Sequence, residues 1–178
     1  RSGTGAAYVK LSNGVAFSVD RLYAPQAKGF LEGLIALGAP VTNVGGYGQR
    51  ARTSAHPGGF AFDWNQGGYG VMGHNAAAWF RSHQSLIVAL ENIWRLVGGE
   101  RFGDAGHFSL GSVYNAAQLQ QAQAATERLI REALEKDKHD VALNTKVKAP
   151  PGTKVKVETE GNVFNKTNTE RAMGAVDY

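Results

Sequence analysis

The chain has no cysteine, five prolines and two methionines in 178 residues. The missing cysteines exclude disulfides, thiolate nucleophiles and every cysteine-based zinc site, which leaves histidine and carboxylate side chains as metal ligands. Long apolar runs are also missing. The most apolar stretch, Leu86 to Val97, is broken by Glu91, Asn92 and Arg95, well short of the roughly 18 uninterrupted residues a bilayer crossing needs, so no membrane span is expected. Charge of one sign is scarce too. The formal charge is +4, acidic residues are interspersed among basic ones, and no Lys/Arg run or recognition motif marks a nucleic-acid surface. No internal repeat is visible. The chain opens Arg-Ser-Gly with no basic-then-apolar leader, the start expected of a processed product or an excised fragment.

What is present suits one globular domain: 43% hydrophobic and 10% aromatic residues supply a real core at this length. Residues 6–19 set Asn13-Gly14 between short apolar stretches with partial alternation, which predicts a β-hairpin. Pro25 then opens a short amphipathic helix with Phe30, Leu34 and Leu37 at helical spacing and Gly38 as its stop. The stretch PVTNVGGYG reads as a strand entering a glycine turn. GGFAFDW reads as a second strand, with Phe60, Phe62 and Trp64 on one face and Ala61 and Asp63 on the other. Between Asn75 and Val97, Trp79, Leu86, Leu90, Ile93 and Val97 recur at three- and four-residue steps. They predict the main core helix, broken near Ser82 and ended by Gly98-Gly99. ERFGDAGHFSL is short and punctuated by glycine, and a long polar helix follows over 112–138, with a narrow stripe of Leu119, Ala122, Leu129 and Ala133.

The expected organisation is therefore an α+β domain over 1–136, including the long helix, and a polar tail over 137–178. The tail's alternating TKVKVETE puts Val155 and Val157 on one side of a candidate edge strand. Through it the chain would join a sheet, a phage particle or a larger parent protein.

Two clusters carry the candidate chemistry. In SAHPGGFAFDW a glycine turn can swing His56 back over the strand face that presents Asp63. Taken alone, such a pair is more often a hydrogen-bonded histidine and a turn-capping aspartate. A second cluster, Asp104-Ala105-Gly106-His107-Phe108, adds another imidazole and another carboxylate. A zinc enzyme needs three protein ligands, an open position and a nearby unligated carboxylate to move a proton. His56, Asp63 and His107 as Zn²⁺ ligands, with Asp104 as general base, meet that list.

These stretches, in the forms Ser-x-His-x-x-Gly-x-Ala-x-Asp and Asp-x-x-His-Phe, resemble the LAS metallopeptidases of peptidoglycan. That group includes D-alanyl-D-alanine carboxypeptidases and the L-alanyl-D-glutamate endopeptidases of phage endolysins. Asp-x-x-His-Phe with Gly98-Gly99 and Phe102 upstream is closer to the endopeptidase branch than Glu-x-x-His-Trp would be. The resemblance spans roughly residues 22–111 and implies a small antiparallel sheet carrying the zinc, flanked by helices. It implies hydrolysis of an amide bond in the peptidoglycan stem peptide, between L-Ala and D-Glu, with a D,D-carboxypeptidase or other cell-wall amidase as the alternative on the same fold. An inactive wall-binding or virion-structural module is the alternative from another class. The resemblance also implies an arginine ahead of the first histidine that polarises the scissile carbonyl or holds a substrate carboxylate. Arg50 is the choice and Arg52 the substitute, although the stretch between the Gly46-Tyr47 turn and His56 is shorter than the family's. Ser54 is expected to orient the turn or touch substrate, not to attack, since no general base is evident beside it. Action outside the cytoplasm, extracellular or periplasmic and in association with a virion, is the corresponding expectation.

Other residues carry weaker signals. Tyr47 and Trp64 are candidates for lining the cleft, although strand aromatics are usually core. His74 precedes a predicted helix, where capping is commoner than ligation. His83 is expected in mid-helix and His139 in the tail, both without a role, and Gly67-Gly68-Tyr69-Gly70 reads as a loop bordering the site.

Overall fold

The computed structural model describes residues 3–48, 54–65 and 74–148. Arg50, Arg52, the loop over 67–70 and the candidate edge strand around Val155 and Val157 lie outside them.

The architecture is α+β. Strands β1 (Ala6–Lys10) and β2 (Ala16–Asp20) form an antiparallel hairpin. The expected Asn-Gly turn closes it: Gly14 has a φ of +91°, and the Asn13 amide donates to the Val41 carbonyl at 2.7 Å. Helix α1 (Ala24–Ala36) starts on Pro25 and unwinds at Gly38, whose φ of +90° suits a helix stop.

The second sheet contains β3 (Val44–Gly45), β4 (Ala61–Trp64), β5 (Leu96–Gly99) and β6 (Asp104–Leu110), antiparallel throughout in the order β3-β4-β6-β5. β3 is only two residues of the longer strand expected over 40–48. ERFGDAGHFSL is a 3₁₀ turn, Glu100–Phe102, followed by the central strand β6. Between β5 and β6 the register jumps: Gly98 pairs with Phe108, but Gly99 pairs with Asp104. Ala105, Gly106 and His107 therefore have no counterpart on β5, a bulge beside the site.

The core helix is two helices, α2 (His74–Ser82) and α3 (Gln84–Trp94), with the expected break at Ser82. It ends earlier than the spacing predicts. Arg95 takes a left-handed φ of +55° and closes α3, so Leu96 to Gly99 continue as β5, not as helix and cap. His83 is the residue between α2 and α3, not a mid-helix position, and its ring stacks on Trp79 at 4.1 Å.

Helix α4 (Ala116–Lys148) runs through the boundary expected at residue 137 and takes twelve further residues, among them the exposed His139, out of the anticipated tail. Leu119, Ala122, Thr126 and Ile130 are buried along it, among the residues whose side chains are described. Thr126 accepts a hydrogen bond from the Trp94 indole at 2.9 Å, joining α4 to α3.

Beneath the sheet lies an aromatic cluster. Phe62 and Phe108 are fully buried paired neighbours, their ring centroids 5.6 Å apart, and Phe30 packs 4.7 Å from Phe108. Phe17 and Tyr23 complete it, each within 6 Å of Phe62. Trp64 is buried with them. The face opposite these rings carries the candidate ligands.

Candidate metal centre

Side chains alternate across a strand, so the rung next to the buried Phe62–Phe108 pair faces the other way. That rung is Asp63 paired with His107. On its far side Asp63 pairs with Gly45 of β3, so one row across three strands reads Gly45, Asp63, His107. His56 comes from outside the sheet, on a short 3₁₀ turn, His56–Gly58, that ends at Gly59 in a left-handed conformation, φ +75°. Ser54 accepts a hydrogen bond from the His56 amide at 3.3 Å and so orients this turn.

The three side chains meet. His56 Nε2 lies 3.1 Å from His107 Nδ1, His107 Nδ1 lies 3.1 Å from Asp63 Oδ1, and His56 Nε2 lies 3.2 Å from Asp63 Oδ2. The two short contacts to Asp63 are made by different carboxylate oxygens; one ligand atom from each of the three residues lies within 4.8 Å of the others. For a tetrahedral ion with bonds of about 2.0–2.1 Å, the ligand–ligand edge is about 3.3–3.4 Å, within that span.

His56 Nδ1 lies 2.7 Å from the Gly46 carbonyl, which only accepts, so Nδ1 carries a hydrogen. In the neutral imidazole Nε2 then presents its lone pair, the form a metal ligand needs, and the backbone carbonyl behind His56 is the kind of outer partner that fixes a ligand's tautomer. His56, Asp63 and His107 can thus hold a metal ion.

His56 and Asp63 are 2% exposed and His107 is 22% exposed, so of the three candidate ligands His107 is the one in contact with solvent. Asp104 is half-buried, three residues ahead of His107 at the start of β6, and is not part of the ligand triangle. In a regular strand, residues three apart face opposite ways; across the bulge that parity does not hold. Gly99 fits between the two: a Cβ there would lie 2.5 Å from the Asp104 carbonyl oxygen and 2.9 Å from the His107 Cβ.

Tyr47 is 38% exposed, and its hydroxyl hydrogen-bonds to Asp20; burial, then the Asp20 charge, pushes that hydroxyl above its ordinary pKa. His74 is the first residue of α2. Phe102, in the turn before Asp104, is 83% exposed. The residues that sequence reasoning missed are Gly46, Gly59 and Asp20, which hold His56 from behind. Their one legible signal is glycine at 46 and 59, where close backbone approach leaves no room for a Cβ.

No protein-family model, curated protein or solved structure matches this chain.

Proposed function

We propose that this protein is a zinc-dependent peptidase of bacterial peptidoglycan that hydrolyses an amide bond of the stem peptide, between L-Ala and D-Glu. The observation that carries the reading is the convergence of His56, Asp63 and His107, 3.1–3.2 Å apart, with a further carboxylate, Asp104, on the strand that supplies His107. This donor set, two imidazoles and one carboxylate, suits zinc in a hydrolytic role. A zinc ion bound there would supply Lewis acidity, polarising the amide carbonyl and making water a stronger nucleophile near neutral pH.

The chain's own residues do the rest. Asp104 accepts the proton of the attacking water and passes it to the departing amine. Arg50, with Arg52 as substitute, stabilises the developing oxyanion or holds a substrate carboxylate, the role implied by the family resemblance. Ser54 fixes the His56 turn, and the exposed part of Tyr47 borders the cleft. The place of action is the cell wall, reached from outside or from the periplasm, with residues after α4 as the attachment to a phage particle or a larger parent protein.

The test is a digest of purified sacculi with and without a chelator, followed by mass spectrometry of the muropeptides. Chelator-sensitive release of new L-Ala carboxyl and D-Glu amino termini is the expected result. Release of free D-Ala instead would assign a D,D-carboxypeptidase. Metal binding with no new termini from any peptidoglycan would replace the enzyme by an inactive wall-binding module.

A further inference from the structure

Two of the three candidate ligands are held by the four-stranded sheet, whereas His56 is not, and the structure shows what holds it. The end of β2 reaches it by two routes. The Tyr47 amide donates to the Ser18 carbonyl at 2.9 Å, which sets the position of the adjoining Gly46, whose carbonyl takes the His56 Nδ1 hydrogen at 2.7 Å. The Asp20 amide donates to the Gly59 carbonyl at 2.8 Å, and the Gly59 amide donates to the His56 carbonyl at 2.9 Å. One route grips the ring and the other the main chain.

The spacing is tight. A Cβ on Gly46 would lie 1.8 Å from the Ser18 carbonyl oxygen, and a Cβ on Gly59 would lie 2.3 Å from the Tyr47 ring and 2.6 Å from the Asp20 amide nitrogen. The Asp20 carboxylate closes the assembly. It accepts from the Thr4 amide and hydroxyl and from the Gly5 and Leu22 amides, and it takes the Tyr47 hydroxyl.

We infer that the β1–β2 hairpin is the positioning device for the third metal ligand, and that Asp20 and Tyr47 are positioning residues that set metal affinity through Gly46, Gly59 and His56. The inference rests on reading the triangle as a metal centre, and it requires no particular reaction.

Zinc affinity, by competition with a chromogenic chelator, and the visible spectrum of the cobalt(II)-loaded protein test it on the full chain. Asn in place of Asp20 accepts at one oxygen and turns an amide group toward donors. Asp20→Asn is expected to weaken zinc binding, by less than the about 10- to 100-fold that losing a ligand's own hydrogen-bond partner costs, and to shift the cobalt bands. Tyr47→Phe, which keeps the ring over Gly59, should act in the same direction by less. Glu32→Gln is the control: Glu32 anchors the other end of the hairpin through Ser12, at 2.6 and 2.7 Å, and its loss should lower stability with affinity unchanged. If Asp20→Asn does not fold, Tyr47→Phe decides alone. Unchanged affinity and spectra in the variants, or a parent that binds neither ion, would overturn the inference. A parent that binds zinc tightly yet cuts no peptidoglycan would leave it standing and remove only the proposed reaction.

Discussion

Asp63 and His107 are partners on one rung of β4 and β6, and their side-chain atoms Oδ1 and Nδ1 stand 3.1 Å apart on the face away from Phe62 and Phe108. Folding the sheet therefore assembles two ligands at once. An ion that binds the folded chain and not the unfolded one stabilises the fold, by about 2.7 kcal/mol at a hundredfold excess over Kd. Zinc added to chelator-treated protein should raise the thermal unfolding midpoint of the parent, and His107→Ala should abolish the rise. Equal shifts in parent and variant, read by calorimetry, would place the ion elsewhere.

Asp104 lies outside the ligand triangle, so it separates binding from chemistry. Asp104→Ala is expected to keep the fold and the zinc-induced stabilisation while losing about 10²- to 10⁴-fold in hydrolysis, the usual contribution of a general acid–base group. Zinc content and rate of muropeptide release are the paired measurements. A variant that digests sacculi at the parent rate would remove Asp104 from its role.

Much of this site was legible in sequence. The alternation of Phe60, Phe62 and Trp64 with Ala61 and Asp63 encodes which face is core, because a period of two is a local property of any strand. The histidine ahead of a glycine turn encodes the approach of His56. Other features depend on contacts distant in the chain. Leu96 and Val97 continue the helical spacing of Leu90 and Ile93, and only pairing with β6 after the left-handed Arg95 makes them strand. The Lys-rich, polar stretch beyond Asp137 reads as a composition change, yet its Lys, Ala and Leu residues are good helix formers and α4 continues through it to Lys148. The Gly46 carbonyl behind His56 has no side-chain signature at all.

Two buried carboxylates should give the metal-free protein opposing pH responses. Burial raises the Asp20 carboxyl, but hydrogen bonds from Leu22, Thr4 and Gly5 outweigh it and hold the group below its ordinary 3.8. Its contribution to stability is therefore present above 3.8 and lost as pH falls through the lower folded value. Glu32 is shifted the other way. Burial raises it above 4.5, against hydrogen bonds from Ser12 and the Lys28 charge, so the folded state holds that proton longer and stability declines as pH rises from 4.5 through the folded value. Urea unfolding between pH 3 and 7 should show a flatter acid limb for Asp20→Asn and a smaller decline above pH 4.5 for Glu32→Gln, each against the parent. Parallel curves for all three proteins would contradict both assignments.

Gly29 and Gly99 are both too crowded for a side chain, and they distinguish a loss of packing from a loss of the site. A Cβ on Gly29 would lie 2.2 Å from the Trp94 ring, where α1 crosses α3. Gly29→Ala is thus an overpacking change of about 1–3 kcal/mol, remote from the ligands, and should lower the unfolding midpoint with zinc affinity retained. At Gly99 the obstacles are the Asp104 carbonyl oxygen at 2.5 Å and the His107 Cβ at 2.9 Å. Neither is the end of a flexible side chain, so relief requires the bulge itself to shift and carry His107 away from Asp63. Gly99→Ala should lower zinc affinity and hydrolysis by more than its loss of stability accounts for. Zinc titration of both variants at a temperature where each is fully folded separates the two effects, and equal affinities would show that the bulge yields without disturbing the ligand triangle.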